Sequence, residues 1–193
     1  MLINNAGVFN SPINQTSEGF QHELVVNYFG PVFLTNLLLK REIGLKKVVN
    51  VTSSLAKYGS FFFDDLKGLQ MEKKVRYRNS KLALTAFTNK IIEEYKDKDV
   101  EFMAVHPGLV VTKLGRNILP NWFSWVEIII LPLLLLLAKL PIEGAQSILY
   151  CIAEDCSSGY YGDSRRKEWP QFCDNKEAIN KLYKETISLL SNF

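Results

Sequence analysis

The sequence predicts an α/β fold built on a parallel sheet, and three observations lead there. Strand-like and helix-like stretches alternate along the first half of the chain, as they do when helices connect parallel strands. The strand-like stretches are unbroken apolar runs without strict alternation, the pattern of strands covered on both faces. The chain has 193 residues, 47% of them apolar and 22% charged, which suits one globular domain and argues against disorder.

The elements follow in order. Leu2-Ile3 is a short strand that ends at Asn4-Asn5-Ala6-Gly7. Thr16 to Lys40 reads as a long helix, with Thr16 or Ser17 as N-cap and apolar residues at Phe20, Leu24, Tyr28, Leu34, Leu37 and Leu38. Gly30-Pro31 inside it predicts a kink. Lys46 to Thr52 is a second strand, and Ser60 to Arg76 is irregular. A helix is expected from Asn79 to Tyr95, then a strand from Val100 to Val105 that stops at His106-Pro107-Gly108. Trp122 to Leu140 is the most apolar segment, close to the ~20 residues that span a bilayer. Glu127 and Pro132 inside it, with Lys139 near its end, favour a lid over a cleft or a helix that dips into a membrane surface. Lys176 to Leu190 is amphipathic and is expected at the sheet's edge. There are no internal repeats and no low-complexity linker.

Composition removes several functions. A net charge of +3, with Arg165-Arg166-Lys167 as the one basic cluster, is too mild for a nucleic-acid binder. Three cysteines, Cys151, Cys156 and Cys173, show no C-x-x-C spacing, which argues against a disulfide framework and a zinc site. With only His22 and His106 as histidines, no metal is expected. No basic segment followed by an apolar one opens the chain, so no signal peptide is expected and the protein reads as not secreted.

The chemistry begins with Tyr77 and Lys81, four residues apart on one helix face. An ammonium beside a phenol favours the phenolate and lowers its pKa toward working pH, which makes Tyr77 a general acid/base for a carbonyl/alcohol pair. Chance alone yields on the order of one such pair here, so a plain surface pair is the competing reading. Ser53-Ser54 ends a buried strand, where open α/β sheets place their sites; an ordinary turn serine is the alternative. Asn27 stands inside a helix, where asparagine is a poor former; it is either merely exposed or holds a water through its amide. Pro107-Gly108 is either a turn or a close approach of backbone to a ligand.

Taken together these residues resemble the short-chain dehydrogenase/reductase family. Asn4-Asn5-Ala6-Gly7, Asn27, Ser54, Tyr77-x-x-x-Lys81 and Pro107-Gly108 with Thr112 follow the family's order along nearly the whole chain. The stretches Val49 to Ala56 and Ala104 to Gly108, the extra residues before Tyr77 and the tail at Gly159-Tyr160-Tyr161 look most like its retinol dehydrogenase-like branch. The resemblance implies a Rossmann-like, doubly wound parallel sheet, with residues 1–193 as a single partial domain and 122–140 as the apolar lid or membrane-contacting segment.

It also implies roles. Tyr77 would exchange a proton with the substrate oxygen, Lys81 would lower the pKa of Tyr77 and bond the nicotinamide ribose, and Ser54 would hold the substrate oxygen. Asn27 would fix a water linking Lys81 to solvent. Asn4, Ala6 and Gly7 would line the adenosine side of the cofactor, and Pro107, Gly108 and Thr112 would flank the nicotinamide. The implied cofactor is NADP(H) ahead of NAD(H), and the implied substrate a small lipophilic alcohol, aldehyde or ketone. Two copies would pair through the helices around Asn27 and Tyr77. The implied location is the cytoplasmic side, at the endoplasmic reticulum membrane.

One part of the family pattern is missing. The eleven glycines form no G-x-x-x-G-x-G turn of the kind that cradles a pyrophosphate, and Met1 falls just before the family's fourth strand, so three βα units are lacking. The first strand of this chain is then expected to be an exposed apolar edge. Three readings follow: the catalytic half of an NAD(P)-dependent oxidoreductase; a non-catalytic fragment or isoform that cannot hold a dinucleotide; and a protein anchored in a membrane through Trp122 to Leu140.

Overall fold

The unbroken apolar runs become the middle of a five-stranded sheet. The structure is a computed structural model and describes residues 1–108, 110, 139–154 and 156–191. Strand β1 (Leu2–Asn4) pairs in parallel with β2 (Lys47–Val51), β2 with β3 (Glu101–His106), and β3 with β4 (Gly159–Gly162). Strand β5 (Arg165–Lys167) closes the order antiparallel to β4. Val48 and Phe102 point into the larger core, and Val49, Met103 and Val105 into a smaller one with Cys151, Cys156 and Tyr161. Burial on both faces is why β2 and β3 read as continuous apolar runs. β1 forms the sheet's edge, with Ile3 exposed, as expected.

The helix expected from Thr16 starts later. Thr16 and Phe20 instead close a tight turn, with Gly19 at φ +80°, and Gln21 caps α1 (His22–Leu24) by accepting from the Leu24 amide at 3.0 Å. A left-handed residue cannot sit inside an α-helix, so Gly19 excludes the earlier start. Val25–Phe29 then winds as a π-helix, and α2 (Gly30–Lys40) continues without a break. The irregularity predicted at Gly30-Pro31 therefore takes the form of a widened turn just before it. Gly30 donates back five residues to Val25, and Pro31, next in line, has no amide hydrogen to donate to the preceding turn.

Helix α3 (Lys73–Glu94) begins six residues before the expected Asn79, which is not a cap. The Asn79 side chain instead accepts from the Ser60 amide at 3.0 Å and ties down the preceding loop. Residues 79–89 of α3 are all buried within the chain. Helix α4 (Pro141–Ala153) lies under the smaller core, opened by Pro141 and by Glu143, which accepts from the Leu140 amide at 2.7 Å. Helix α5 (Lys176–Leu190) has its expected bounds but packs on α3 rather than at the sheet's edge: Phe87 and Tyr183 stack at 5.9 Å, and Tyr28 and Thr186 share a hydrogen bond of 2.8 Å. The three cysteines are buried free thiols. Thr112 and nearly all of Trp122 to Leu140 lie outside the described residues. Among the described ones, no helix is long and apolar enough to cross a membrane.

Candidate active site at the carboxyl ends of the strands

The site is assembled by the ends of β1, β2 and β3 together with the second and third turns of α3. Tyr77 and Lys81 project from one face of α3, as their spacing requires. Their partners differ from expectation. The Lys81 ammonium donates to the carbonyl of Val51, the last residue of β2, at 2.8 Å, and lies 6.0 Å from the centre of the Tyr77 ring. Burial lowers the Lys81 pKa to about 8. Burial also raises that of Tyr77; a hydrogen bond from Ser53 opposes this, and the Glu23 carboxylate adds to it. The expected depression of the phenol by Lys81 does not appear, since Lys81 is not among the groups that shift it; burial keeps its pKa above the ordinary value, so the phenol stays protonated at neutral pH.

Ser53, the first serine of the pair, is the one that acts to lower the Tyr77 pKa. Ser53 ends the extended run of β2 and caps the 3₁₀ turn Ser54–Tyr58, accepting from the Leu55 amide at 3.2 Å; Ser54 is exposed and lines a neighbouring cleft. Gly59 lets that turn sit close on α3, since a Cβ there would come within 2.9 Å of the Arg78 carbonyl oxygen. Phe9 meets the Tyr77 ring edge-on, with centroids 4.8 Å apart. Glu23 is buried, accepts from the Ser11 amide at 3.0 Å, and burial raises its pKa as well. Nothing in the sequence singled out Phe9 or Glu23, because both reach Tyr77 through the fold; Ser53 was visible only as half of a serine pair.

Asn27 is fully buried at the middle of the π-helix. Its amide accepts from the Val8 amide at 2.8 Å and donates to the Val8 carbonyl at 2.9 Å and to Ser80 at 3.0 Å. Both of its N–H donors are thus committed, so its side chain positions the turn after β1 instead of donating to a water. Asn4 is likewise turned inward. It donates to Thr35 at 3.1 Å and to Asn50 at 2.7 Å, and Asn50 donates on to Thr88 at 2.9 Å. The Asn4 side chain is therefore engaged inside the fold, at the start of the turn after β1. Asn5 and Ala6 are exposed at the strand end, and Gly7 brings that turn to Asn27 and Lys81. Pro107 and Gly108 follow β3, with Gly108 at φ +86°, a conformation that favours glycine. No group of three or more His, Cys, Asp or Glu among the described residues is placed to hold a metal ion.

Comparison with known proteins fits this geometry. Residues 1–121 match the family described as short chain dehydrogenase. Human retinol dehydrogenase 14 is 37% identical over 95% of this chain and 56% of its own length. Bovine retinol dehydrogenase 12 is 36% identical over 98% of this chain and 60% of its own. The chain thus spans a little over half the length of these relatives. An uncharacterised protein from Mycobacterium Paratuberculosis shares the fold with a TM-score of 0.75 at 23% identity, over 98% of this chain and 66% of that one. An NADPH-bound carbonyl reductase from chicken fatty liver does so with a TM-score of 0.53 at 19% identity, over 86% and 64%.

Proposed function

The chain belongs to the short-chain dehydrogenase family, with its sequence similarity on the side of the retinol dehydrogenases, and from that premise we propose that it interconverts a lipophilic alcohol and its aldehyde or ketone. The observation that carries this reading is the placing of Tyr77 and Lys81 on one face of α3 where β2 ends, with Lys81 bonded to the Val51 carbonyl. A phenol held protonated at neutral pH is an acid ready to give its proton to a carbonyl oxygen as that oxygen gains negative charge. Ser53 orients the phenol hydroxyl and offers a hydrogen bond to the same oxygen; Ser54, one residue on, lines the way in. Lys81 adds positive charge from below, and Phe9 closes one side of the Tyr77 ring against water.

A nicotinamide dinucleotide fits the turn after β1. Asn5 and Ala6 are exposed there, and the glycine at 7 leaves the backbone open beside Lys81 Nζ, only 3.6 Å from where a Cβ would stand. Lys81, Pro107 and Gly108 would hold its nicotinamide half, and Ala6 and Gly7 would line its adenosine side. When bound, the dinucleotide supplies or accepts the hydride. NADP(H) is the form to test first and NAD(H) the second. The apolar segment 122–140 serves in this reading as the lid over a lipophilic substrate or as its contact with a membrane surface.

The test is titration of the purified chain with NADPH and then NADH, followed by fluorescence. Binding in the micromolar range is expected, with turnover of all-trans-retinal that disappears in Tyr77→Phe. A second reading rests on one observation: no glycine-rich pyrophosphate turn occurs among these 193 residues. In that reading the chain is a non-catalytic member of the family. No binding up to millimolar dinucleotide, with a native circular dichroism spectrum, would establish it.

A further inference from the structure

A buried polar atom normally has a partner, and one oxygen of Glu23 departs from that rule. Glu23 sits in α1 and is 1% exposed. Its Oε1 accepts from the Ser11 amide at 3.0 Å, while its Oε2 has no hydrogen bond among the described residues. Lys73 and Arg76 of α3 act on the carboxylate through their charge, yet Oε2 bonds neither of them. Burying a carboxylate so sparsely paired is unfavourable. What the fold obtains from it is a single bond, made to the loop that follows β1.

That loop is held at two places. Asn27 takes both backbone groups of Val8, at 2.8 and 2.9 Å. Ser11 is buried and is fixed from three directions: Glu23 takes its amide, its hydroxyl shares a hydrogen bond of 2.9 Å with His22, and that hydroxyl also accepts from the Ile13 amide at 3.1 Å. Only Phe9 and Asn10 lie between the two holds. Asn10 stands at φ +52°, a left-handed conformation that asparagine adopts more readily than most residues, so the chain turns sharply there. Phe9 is what this turn presents, and its ring lies edge-on to that of Tyr77 with centroids 4.8 Å apart.

Resting on the reading of Tyr77 as proton donor, we infer that Glu23 is a positioning residue for it: the bond from the Ser11 amide to Glu23 fixes the turn at Asn10 and so keeps the Phe9 ring against the phenol. Glu23 touches no reacting atom in this scheme and acts through Phe9. A phenol covered on one side is drier than an open one and keeps its proton more firmly. With the bond lost, the turn relaxes, Phe9 leaves the ring, and water reaches that side of Tyr77.

The experiment compares Glu23→Gln with Glu23→Met. Both remove the charge, so both change the field at Tyr77 alike, but only glutamine keeps an oxygen that accepts from Ser11. The chain has eight tyrosines, and in protein with isotope-labelled tyrosine rings the NMR signal of Tyr77 is identified with Tyr77→Phe. Phe9→Leu removes the neighbouring ring and is expected to move that signal. Glu23→Met is expected to move it in the same direction, Glu23→Gln to leave it near its wild-type place, and Glu23→Met to add nothing once Phe9 is leucine. Tyr77 is also expected to titrate at lower pH in Glu23→Met than in Glu23→Gln. These readings are made without substrate or cofactor, and loss of turnover in Tyr77→Phe tests the catalytic reading separately. A Tyr77 signal that the two Glu23 variants move alike, or that Glu23→Met still moves in the Phe9→Leu background, would overturn the inference. If Glu23→Met does not fold, the wild-type chain decides: slow hydrogen exchange at the Ser11 amide is expected, and exchange as fast as in a free peptide would overturn it as well.

Discussion

The Lys81 ammonium is held by the carbonyl of Val51, 2.8 Å away, and not by the phenol one helical turn before it. A buried lysine at the end of a strand has a thermodynamic signature. Its pKa falls from 10.5 to about 8 on folding, because burial penalises the charged form. Between those two values the unfolded chain binds the proton and the folded chain does not, so folding becomes more favourable as pH rises from 8 toward 10.5. Over that window the wild type is expected to gain about 3 kcal/mol relative to Lys81→Met. Urea unfolding of both proteins at a series of pH values measures the difference, which stays flat if the lysine is solvated.

The phenol of Tyr77 is expected to ionise above 10, and its two polar neighbours should act in opposite directions. Ser53→Ala removes a hydrogen bond that lowers the pKa and should raise it further; Glu23→Gln removes a negative charge that raises it and should bring it down. Ultraviolet difference titration against Tyr77→Phe isolates this one tyrosine. Equal curves for the three proteins would mean that neither group faces the phenol.

Gly59→Ala tests how the serines are held. The new methyl group would meet the backbone of Arg78 at 2.9 Å and Leu82 Cβ at 3.0 Å, and neither can move aside easily. The turn Ser54–Tyr58 should lift off α3 and carry Ser53 from Tyr77, with a stability loss of roughly 1–3 kcal/mol. Turnover should fall more than cofactor affinity, which steady-state kinetics and fluorescence titration resolve.

Asn50→Leu breaks the line of amides and hydroxyls from Thr35 through Asn4 to Thr88. It leaves one N–H of Asn4 without an acceptor in the interior, while the Thr88 hydroxyl keeps its bond to the Leu84 carbonyl, at a cost of about 1–3 kcal/mol. The urea midpoint should fall accordingly. An unchanged midpoint would mean that water enters to replace the lost amide.

The sequence carried the parallel sheet because residues such as Val48, Val49, Phe102 and Met103 are apolar whichever face they meet. It carried α5 because Asn175, accepting from the Ala178 amide at 3.0 Å, marks its start, and one apolar stripe marks its buried side. It did not carry the β4–β5 hairpin or α4. Asp163 and Ser164, both at φ +53°, make the two-residue turn, but neither is the glycine or asparagine that announces one. At the site, the spacing of Tyr77 and Lys81 placed both on one face of α3. Where the ammonium went was decided by a carbonyl thirty residues earlier in the chain, and periodicity holds no record of that. Asn4 reads as lining a cofactor and Asn27 as holding a water, and what neither reading contains is the inward hydrogen bonding of both side chains.

The π-helix at Val25–Phe29 holds one residue more than an α-helix would need to cover the same rise. Deleting a single residue there would let the ladder close as an ordinary α-helix and would leave everything after Gly30 facing as it does now. Val32 and Thr35 would stay buried, and Asn4 would keep its hydroxyl partner. What would change is the bulge itself, whose middle residue, Asn27, grips both backbone groups of Val8. A one-codon loss in this stretch would therefore spare the helix and unfasten the loop that follows β1.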